Sequence, residues 1–302
     1  MKTVWYLVNR NRKLFFKDKG MLFTALITPL ILLVLYTTFL ANVYHDSFVQ
    51  SLPPGLKVDE QLIDGCVAAQ LFSALLAVCC VTVACCVNLN MVQDKITGAK
   101  RDLMIAPVKA YTFGIGYFIS TLLNTLIICC LATGASLVYI AGAGWYYTVG
   151  DVAKLFLDVF LLSLFGTSIS SVISFPLSTQ GQLSAVGTIV SAGYGFICGA
   201  YMPISNFGDG LQKVLSFLPT TYATSLLKNH ALSAVFEEMN QQGFPKEIIS
   251  GIRKSLDCTP KFLGETVSTT QMVIVISSTI AILIGVYVFM NVMSARKGCG
   301  KR

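Results

Sequence analysis

The stretch CVAAQLFSALLAVCCVTVACCVNL covers residues 66–89 and contains no charged side chain. As a helix rising about 1.5 Å per residue, it exceeds the roughly 30 Å of bilayer hydrocarbon. Similar apolar runs lie at about 22–42, 113–140, 153–176, 183–204 and 269–293. The sequence therefore predicts an all-α integral membrane protein with six spans. Runs of this length exclude an outer-membrane barrel, whose strands alternate over roughly ten residues.

The composition of the whole chain supports the same class. Of 302 residues, 54% are hydrophobic and only 12% are charged, and the mean hydropathy is +0.69. A soluble domain usually carries roughly 25% charged residues to cover its surface. We therefore expect one transmembrane domain over residues 21–302, preceded by a short N-terminal segment, 1–20.

The distribution of Lys and Arg predicts the orientation in the membrane. Both terminal tails and the loop after span two are rich in basic residues, whereas the loops after spans one and three are not. We predict a multi-pass protein of the cell membrane with both termini in the cytoplasm and with segment 205–268 outside. The net charge of +7 then reflects topology and anionic lipid headgroups, and gives no reason to expect nucleic-acid binding.

The first twenty residues mix apolar and basic side chains in a pattern typical of a helix lying in the membrane interface. We predict an interfacial helix on the cytoplasmic side of the lipid bilayer. The alternative is an unstructured basic tail.

The chain contains ten cysteines, most of them within the predicted spans. Adjacent cysteines on a helix point about 100° apart, so the Cys79–Cys80 and Cys85–Cys86 pairs do not form compact metal sites by themselves. We expect no metal and interpret these residues as small packing side chains. Cys66 and Cys258 both fall on the predicted outer side, and a disulfide between them remains open.

Asp158 lies within predicted span four, with Lys154 one helical turn before it. An intramembrane carboxylate is a functional candidate, but Asp158 could instead pair with Lys154 at the outer interface. Its role stays open. His45 and His230 are predicted to lie outside the spans, which counts against a proton-coupled carrier.

A charged run, Asp94–Ala106, follows span two. It favours a short helix with a break at Gly98 and an end before Pro107, because proline disfavours helix at the preceding residue. Its mixture of apolar and charged side chains suits either a helix that contacts a soluble partner or a solvated turn.

The run DKITGAKRDLMIAPVKAYTFGIGY (94–117) resembles the loop after span two in permeases of the ABC type-two exporter family. Ile96 and Arg101 depart from that pattern, since the family often has acidic residues there. The resemblance implies that this loop forms the helix that contacts the ATPase. The residues implied are Asp94, Lys95, Gly98, Lys100, Arg101, Asp102, Leu103 and Pro107.

A second stretch, GAYMPISNFGDGLQKVLSFLPTTYATSLLKNHAL (199–232), resembles the end of span five in the same family. Apolar residues at helical spacing predict a short helix that dips into the outer leaflet, although a plain amphipathic surface helix fits the pattern equally. In this interpretation one proline ends span five and another stops the short helix. A further helix is predicted at 245–256, within an external cap. The candidate residues of the re-entrant helix are Gly199, Pro203, Leu211, Leu215, Pro219 and Tyr222.

The resemblance covers nearly the whole chain and implies the membrane subunit of an ATP-driven exporter. It implies a homodimer or heterodimer of permeases with separate ABC ATPase subunits, which hold ATP and Mg²⁺. This chain would bind no cofactor and hydrolyse no ATP. The small residues of spans two and five suit a dimer interface and an apolar path for an amphipathic or lipophilic cargo: a drug, a peptide or a lipid-linked molecule. The candidate polar residues lining that path are Ser73, Thr82, Ser191 and Tyr194.

Another class of function remains open: a stand-alone membrane protein without an ATPase, such as an ion-coupled carrier, a sensor or an immunity protein. An ABC ATPase encoded in the adjacent reading frame would distinguish the two. A membrane-embedded enzyme is the third possibility, but the sequence lacks clustered catalytic residues.

Overall fold

The computed structural model describes residues 2–50, 59–105, 108, 110–262 and 264–299. Helices α1 to α6 span Lys2–Lys17, Lys19–Leu35, Ala41–Gln50, Glu60–Ile96, Ala99–Leu103 and Ala110–Ala143. Helices α7 to α12 span Val149–Ser174, Gln180–Ile197, Asp209–Ser216, Pro219–Gln241, Lys246–Ser255 and Thr269–Cys299. Strands β1 and β2, Lys261–Phe262 and Glu265–Thr266, form a small antiparallel hairpin.

Among the described residues, five helical segments are long and apolar enough to cross a membrane: Lys19–Asp46, Glu60–Ile96, Tyr111–Ala143, Val149–Ser174 and Thr269–Ser294. The predicted all-α membrane class is therefore confirmed. Helix α8, which corresponds to predicted span five, has 18 residues and is not one of these five. The count of six spans stays a prediction.

The N-terminal segment is helical, as predicted. Asp18 separates α1 from α2, and its side chain caps α2 by accepting a hydrogen bond from the Met21 amide at 3.1 Å. Helix α2 continues through a π-helical turn, Tyr36–Leu40, into α3. One face of α1 packs against α6, while Trp5 and every basic residue of α1 except Arg10 stay exposed.

Helix α4 is the centre of the bundle and packs against α2, α6, α7, α8 and α10. Its small residues allow close approach: a Cβ at Gly166 of α7 would lie 2.6 Å from the Cys80 carbonyl oxygen. We expected the small residues of span two to pack at a dimer interface. That prediction is wrong for α4, because its most apolar stretch is entirely buried inside this chain.

Helix α8 ends earlier than the predicted span, which extended to residue 204. Its last helical residue is Ile197, and Gly199 follows in the left-handed region, with a φ of 70°. Glycine accepts this conformation without steric cost, so it ends the helix. Pro203, which we expected to end the span, instead caps the 3₁₀ turn Ile204–Asn206.

The segment after this turn contains a helix that the sequence reasoning missed. The short helix α9 forms as predicted, but Pro219 begins the 23-residue helix α10 directly after it. Proline suits the first turn of a helix, where its missing amide hydrogen is not needed. Helix α10 packs against α4, α7 and α12, so it belongs to the bundle. Helix α11 forms over Lys246–Ser255 within the predicted range.

The two ends of the bundle differ in content. At one end lie α1, α5, the last turns of α4 and α7 and the first turns of α6; we call it the charged end. At the other end lie α9, α11 and the β-hairpin; we call it the capped end. Helix α4 runs antiparallel to α6 and parallel to α7, since Asp94 meets Tyr117 and Lys95 meets Phe175.

Candidate functional site

Asp94 is the centre of an ion-pair network at the charged end. Arg10 of α1 donates two hydrogen bonds to its carboxylate, from Nη1 at 2.7 Å and from Nη2 at 3.1 Å. Tyr117 of α6 donates a third, at 2.6 Å. The carboxylate also raises the pKa of the Arg10 guanidinium. Asp94 is 8% exposed, so its charge holds α1, α4 and α6 together and does not face a partner protein.

Lys95 also makes its contacts inside the chain. Its ammonium donates to the carbonyl oxygens of Ser174, Phe175 and Leu177, at 3.3, 2.5 and 3.0 Å. These carbonyls lie at and just beyond the C-terminal end of α7, where a cation also complements the helix dipole. Lys95 therefore ties the end of α4 to the end of α7.

Gly98 separates α4 from α5, where a break was expected. Its φ of 84° lies in the left-handed region, and a Cβ there would meet no atom within 4 Å. Glycine is favoured here by backbone conformation and not by space. After this turn the chain forms α5, and Leu103 packs against a small apolar cluster that includes Leu7, Met91 and Phe113.

The exposed part of this region is smaller than the sequence suggested. Lys100 is half-buried, and burial lowers the pKa of its ammonium. Arg101, Asp102, Met104 and Ile105 are exposed, and Ile105 is 81% exposed. We call these four residues the α5 tip. Pro107 lies outside the described residues.

Helix α12 also contacts the charged end, through Tyr287. The Tyr287 hydroxyl donates to the Gly114 carbonyl oxygen at 3.1 Å, and its ring lies edge-on to Phe175, 6.0 Å between centroids. Arg10, Tyr117 and Tyr287 were all missed by the sequence reasoning. Arg10 and Asp94 are 84 positions apart in the sequence, and Tyr287 and Gly114 are 173 positions apart. Contacts between residues so far apart leave no local pattern in a single sequence.

A groove of about 1130 Å³ runs between α2 and α8. Every described residue that lines it is uncharged. Hydroxyl and amide side chains follow one wall along α8, and aliphatic side chains of α2 form most of the other. The lining residues with hydroxyl or amide groups are Thr24, Thr28, Tyr36, Gln180, Ser184, Thr188, Ser191 and Tyr201.

Towards the capped end this groove meets a second cavity, of about 400 Å³. The two share Leu40, Tyr201 and Met202 in their walls. Helix α11 closes the far side of the second cavity through Ile252 and Leu256. The uncharged path therefore continues from the level of Gln180 to the cap.

The structure places the predicted path residues in different surroundings. Ser191 lines the α2–α8 groove. Ser73 and Thr82 are buried in α4 and donate to carbonyl oxygens of their own helix, those of Gln70 and Val78. Tyr194 is buried and does not line the groove. The prediction of Ser73, Thr82 and Tyr194 as path-lining residues is therefore wrong for the structure of this single chain.

Of the predicted re-entrant residues, Leu211 and Leu215 lie on α9, Pro219 and Tyr222 lie in the first turn of α10, and Gly199 and Pro203 lie before both helices. Thr221 donates to the Leu215 carbonyl oxygen at 2.8 Å, and Tyr222 donates to that of Ser216. Pro219, the first residue of α10, lies between the two acceptors, Leu215 and Ser216, and the two donors, Thr221 and Tyr222. Leu211 is exposed on the outer face of α9, whereas Leu215 is buried.

Two buried contacts fix α10 inside the bundle. Lys228, which is 1% exposed, donates to the Gly199 carbonyl oxygen at 3.1 Å. Asp158 lies 2.6 Å from Nδ1 of His230. The expectation that Asp158 pairs with Lys154 is therefore wrong, because Lys154 pairs with Asp151. His230, which we placed outside the spans, lies against span four.

The cysteines do not form a compact metal site among the described residues. Cys66 and Cys258 are buried as free thiols, and burial raises the pKa of Cys258 to about 12. The thiols of Cys79 and Cys129 lie 3.9 Å apart where α4 meets α6.

A comparison with protein families identifies the family of this chain. A family model described as ABC-2 type transporter matches residues 2–232, from the start of α1 to within α10. No curated protein matches the chain. The matched region contains the charged end, the α2–α8 groove and the turn between α9 and α10. The chain therefore belongs to the ABC-2 type transporter family, whose members are membrane permeases of ABC transporters.

Proposed function

We propose that this chain is the membrane subunit of an ATP-driven exporter. It works in a dimer with a second permease, identical or different, and with separate ABC ATPase subunits that bind ATP and Mg²⁺. Family membership implies association with an ABC ATPase. The direction of transport, the dimer and the cargo are parts of the proposal.

The observation that carries the proposal is the position of the exposed α5 tip beside a set of contacts between helices. We call these contacts, which Arg10, Asp94, Lys95 and Tyr117 make, the brace. Arg10 of α1 and Tyr117 of α6 bind Asp94 of α4, and Lys95 of α4 binds the end of α7, so four helices are joined immediately beside the α5 tip. A push on α5 would therefore move several spans together, because buried charge-assisted contacts resist separation. The exposed Met104 and Ile105 give a partner protein an apolar contact, and Arg101 and Asp102 give it charges of both signs.

The α2–α8 groove supports an amphipathic or lipophilic cargo. Its walls combine hydroxyl and amide groups with aliphatic side chains, and the described lining carries no charge to desolvate. The groove extends from the first turn of α8 to the cavity beside α11. A drug, a peptide or a lipid-linked molecule with few charges fits this lining.

We propose the cytoplasm as the side of the charged end. The basic residues of α1 lie at the same end as the α5 tip, as the positive-inside rule requires for a segment that meets a cytoplasmic ATPase. Anionic headgroups would attract the exposed basic side chains of α1, such as Arg12, Lys13 and Lys17.

Co-expression with an ABC ATPase encoded beside this gene tests the proposal. We expect the two chains to purify together and to show ATP turnover that drugs or lipids stimulate. Gly98→Pro, or charge reversal of Arg101 and Asp102, should lower turnover and assembly. Glu247→Lys at the capped end is the matched control. Unchanged turnover and assembly in the α5 variants would refute the coupling role.

One observation favours a second candidate, an ion-coupled carrier without an ATPase. The Asp158–His230 contact puts two titratable groups side by side within the bundle, where proton relays are found in carriers. The test is transport into proteoliposomes that contain this chain alone and carry a pH gradient. Cargo accumulation that Asp158→Asn abolishes would support the carrier.

A further inference from the structure

A third cavity, separate from the α2–α8 groove and from the cavity beside α11, lies at the capped end. It has a volume of about 420 Å³ and is bounded by α9, the start of α10, the β-hairpin and the first turns of α12. Its apolar walls include Phe217, Tyr222, Phe262 and Val275. It shares no lining residue with the α2–α8 groove, so it is not part of the proposed transport path.

The aromatic wall of this cavity is built from two elements. The rings of Phe217 and Phe262 lie 5.3 Å apart between centroids, edge to face at 78°. Both rings remain partly exposed, at 63% and 37%. Tyr222 is held beside them, because its hydroxyl donates to the Ser216 carbonyl oxygen.

A single carboxylate faces these rings. Glu265 is the direct cross-strand partner of Phe262, and opposite residues of an antiparallel pair project from the same face. Glu265 is the one charged residue of the cavity lining, and it takes part in none of the ion pairs between described residues. The neighbouring Gln271 is already engaged, since its Oε1 accepts from the Ser268 amide and hydroxyl.

We propose that this cavity binds the ammonium group of an amphiphile. The cation would lie against the Glu265 carboxylate and the faces of Phe217 and Phe262, with the alkyl chain along Val275. Aromatic rings attract organic cations through their negative faces, and a carboxylate adds charge complementarity. An anionic head group would be repelled by the same carboxylate. The ligand is either the headgroup of a bilayer phospholipid or a free cationic amphiphile.

Native mass spectrometry of the full chain in a neutral maltoside detergent tests this site. The probes are dilauroyl phosphatidylcholine, dilauroyl phosphatidylglycerol, dodecyltrimethylammonium and dodecyl sulfate. We expect the ammonium member of each pair to bind about fivefold more tightly, the size of effect expected for a partly exposed cation–π and ion-pair contact. Glu265→Gln should remove this preference, and Phe262→Leu should reduce it.

Two further variants keep the test decisive. Glu247→Gln removes an exposed carboxylate outside the cavity and should leave the preference unchanged, while Glu265→Asp should retain part of it. Tighter binding of phosphatidylcholine than of dodecyltrimethylammonium assigns the site to bilayer lipid, and the reverse assigns it to a free cationic amphiphile. Equal binding of ammonium and anionic probes, or a preference that survives in Glu265→Gln, would overturn the proposal.

Discussion

The Arg10–Asp94 ion pair offers the sharpest test of the brace at the charged end. Arg10→Met keeps a long side chain on α1 but removes both hydrogen bonds to the carboxylate. Asp94 would then keep only its contact with Tyr117. Its side chain is 12% exposed, so water cannot replace the lost partner fully.

The expected cost follows from that burial. Leaving one member of a fully buried ion pair unpaired costs about 3–5 kcal/mol. The Arg10 side chain is 30% exposed, so water reaches this end of the pair and we expect about 2 kcal/mol. An unfolding entropy of about 2.1 cal/mol/K per residue gives roughly 1.6 °C per kcal/mol for a chain of 302 residues, so the unfolding midpoint should fall by about 3 °C. Arg12→Met, on the same helix, should change the unfolding free energy by less than about 0.5 kcal/mol, because Arg12 is exposed.

A thiol-reactive fluorescent dye can follow this unfolding in detergent, since most of the described cysteines are buried in the folded chain. A double-mutant cycle with Asp94→Asn isolates the pair, and we expect a coupling energy of at least about 1 kcal/mol. Two results would show that the Arg10–Asp94 pair does not stabilise the chain. One is equal stability of Arg10→Met and Arg12→Met, and the other is additive effects of Arg10→Met and Asp94→Asn.

Substitutions at three more positions, Gly98, Lys95 and Gly166, test other features of the structure. Gly98→Ala should cost about 1 kcal/mol through its left-handed backbone, and Gly98→Asn less, which thermal unfolding of the two variants will compare; equal midpoints would contradict the assigned conformation. Lys95→Met should destabilise the chain by about 1–2 kcal/mol through three lost carbonyl contacts, whereas Lys13→Met, on the exposed side of α1, should not. Gly166→Ala should cost about 1–3 kcal/mol, because its Cβ would meet the Cys80 carbonyl oxygen at 2.6 Å; a stable Gly166→Ala variant would show that α4 and α7 are further apart.

The sequence predicted most of the long helices, because a run of apolar residues is the same signal whether it faces lipid or protein. For the same reason it could not place α4 at the centre of the bundle. Hydropathy does not distinguish a span surrounded by helices from one surrounded by lipid.

Helix α10 shows the opposite difficulty. It carries Lys228, His230 and several threonines, so its hydropathy is too low to suggest a buried helix. Lys228 and His230 can be buried because polar groups of the same chain, the Gly199 carbonyl oxygen and the Asp158 carboxylate, lie beside them. Such partners come from distant positions and cannot be found in one sequence. The break at Gly98 was predictable, since glycine itself indicates the backbone conformation.

The central claim is that an ABC ATPase docks on the α5 tip, and site-specific photocrosslinking tests it most directly. A photoreactive amino acid at Ile105, the more exposed of the two apolar residues of the tip, should crosslink to the co-expressed ATPase encoded beside this gene. The same amino acid at Glu247, at the capped end, should not. Co-purification of the ATPase without any crosslink from Ile105, or with an equal crosslink from Glu247, would contradict the claim.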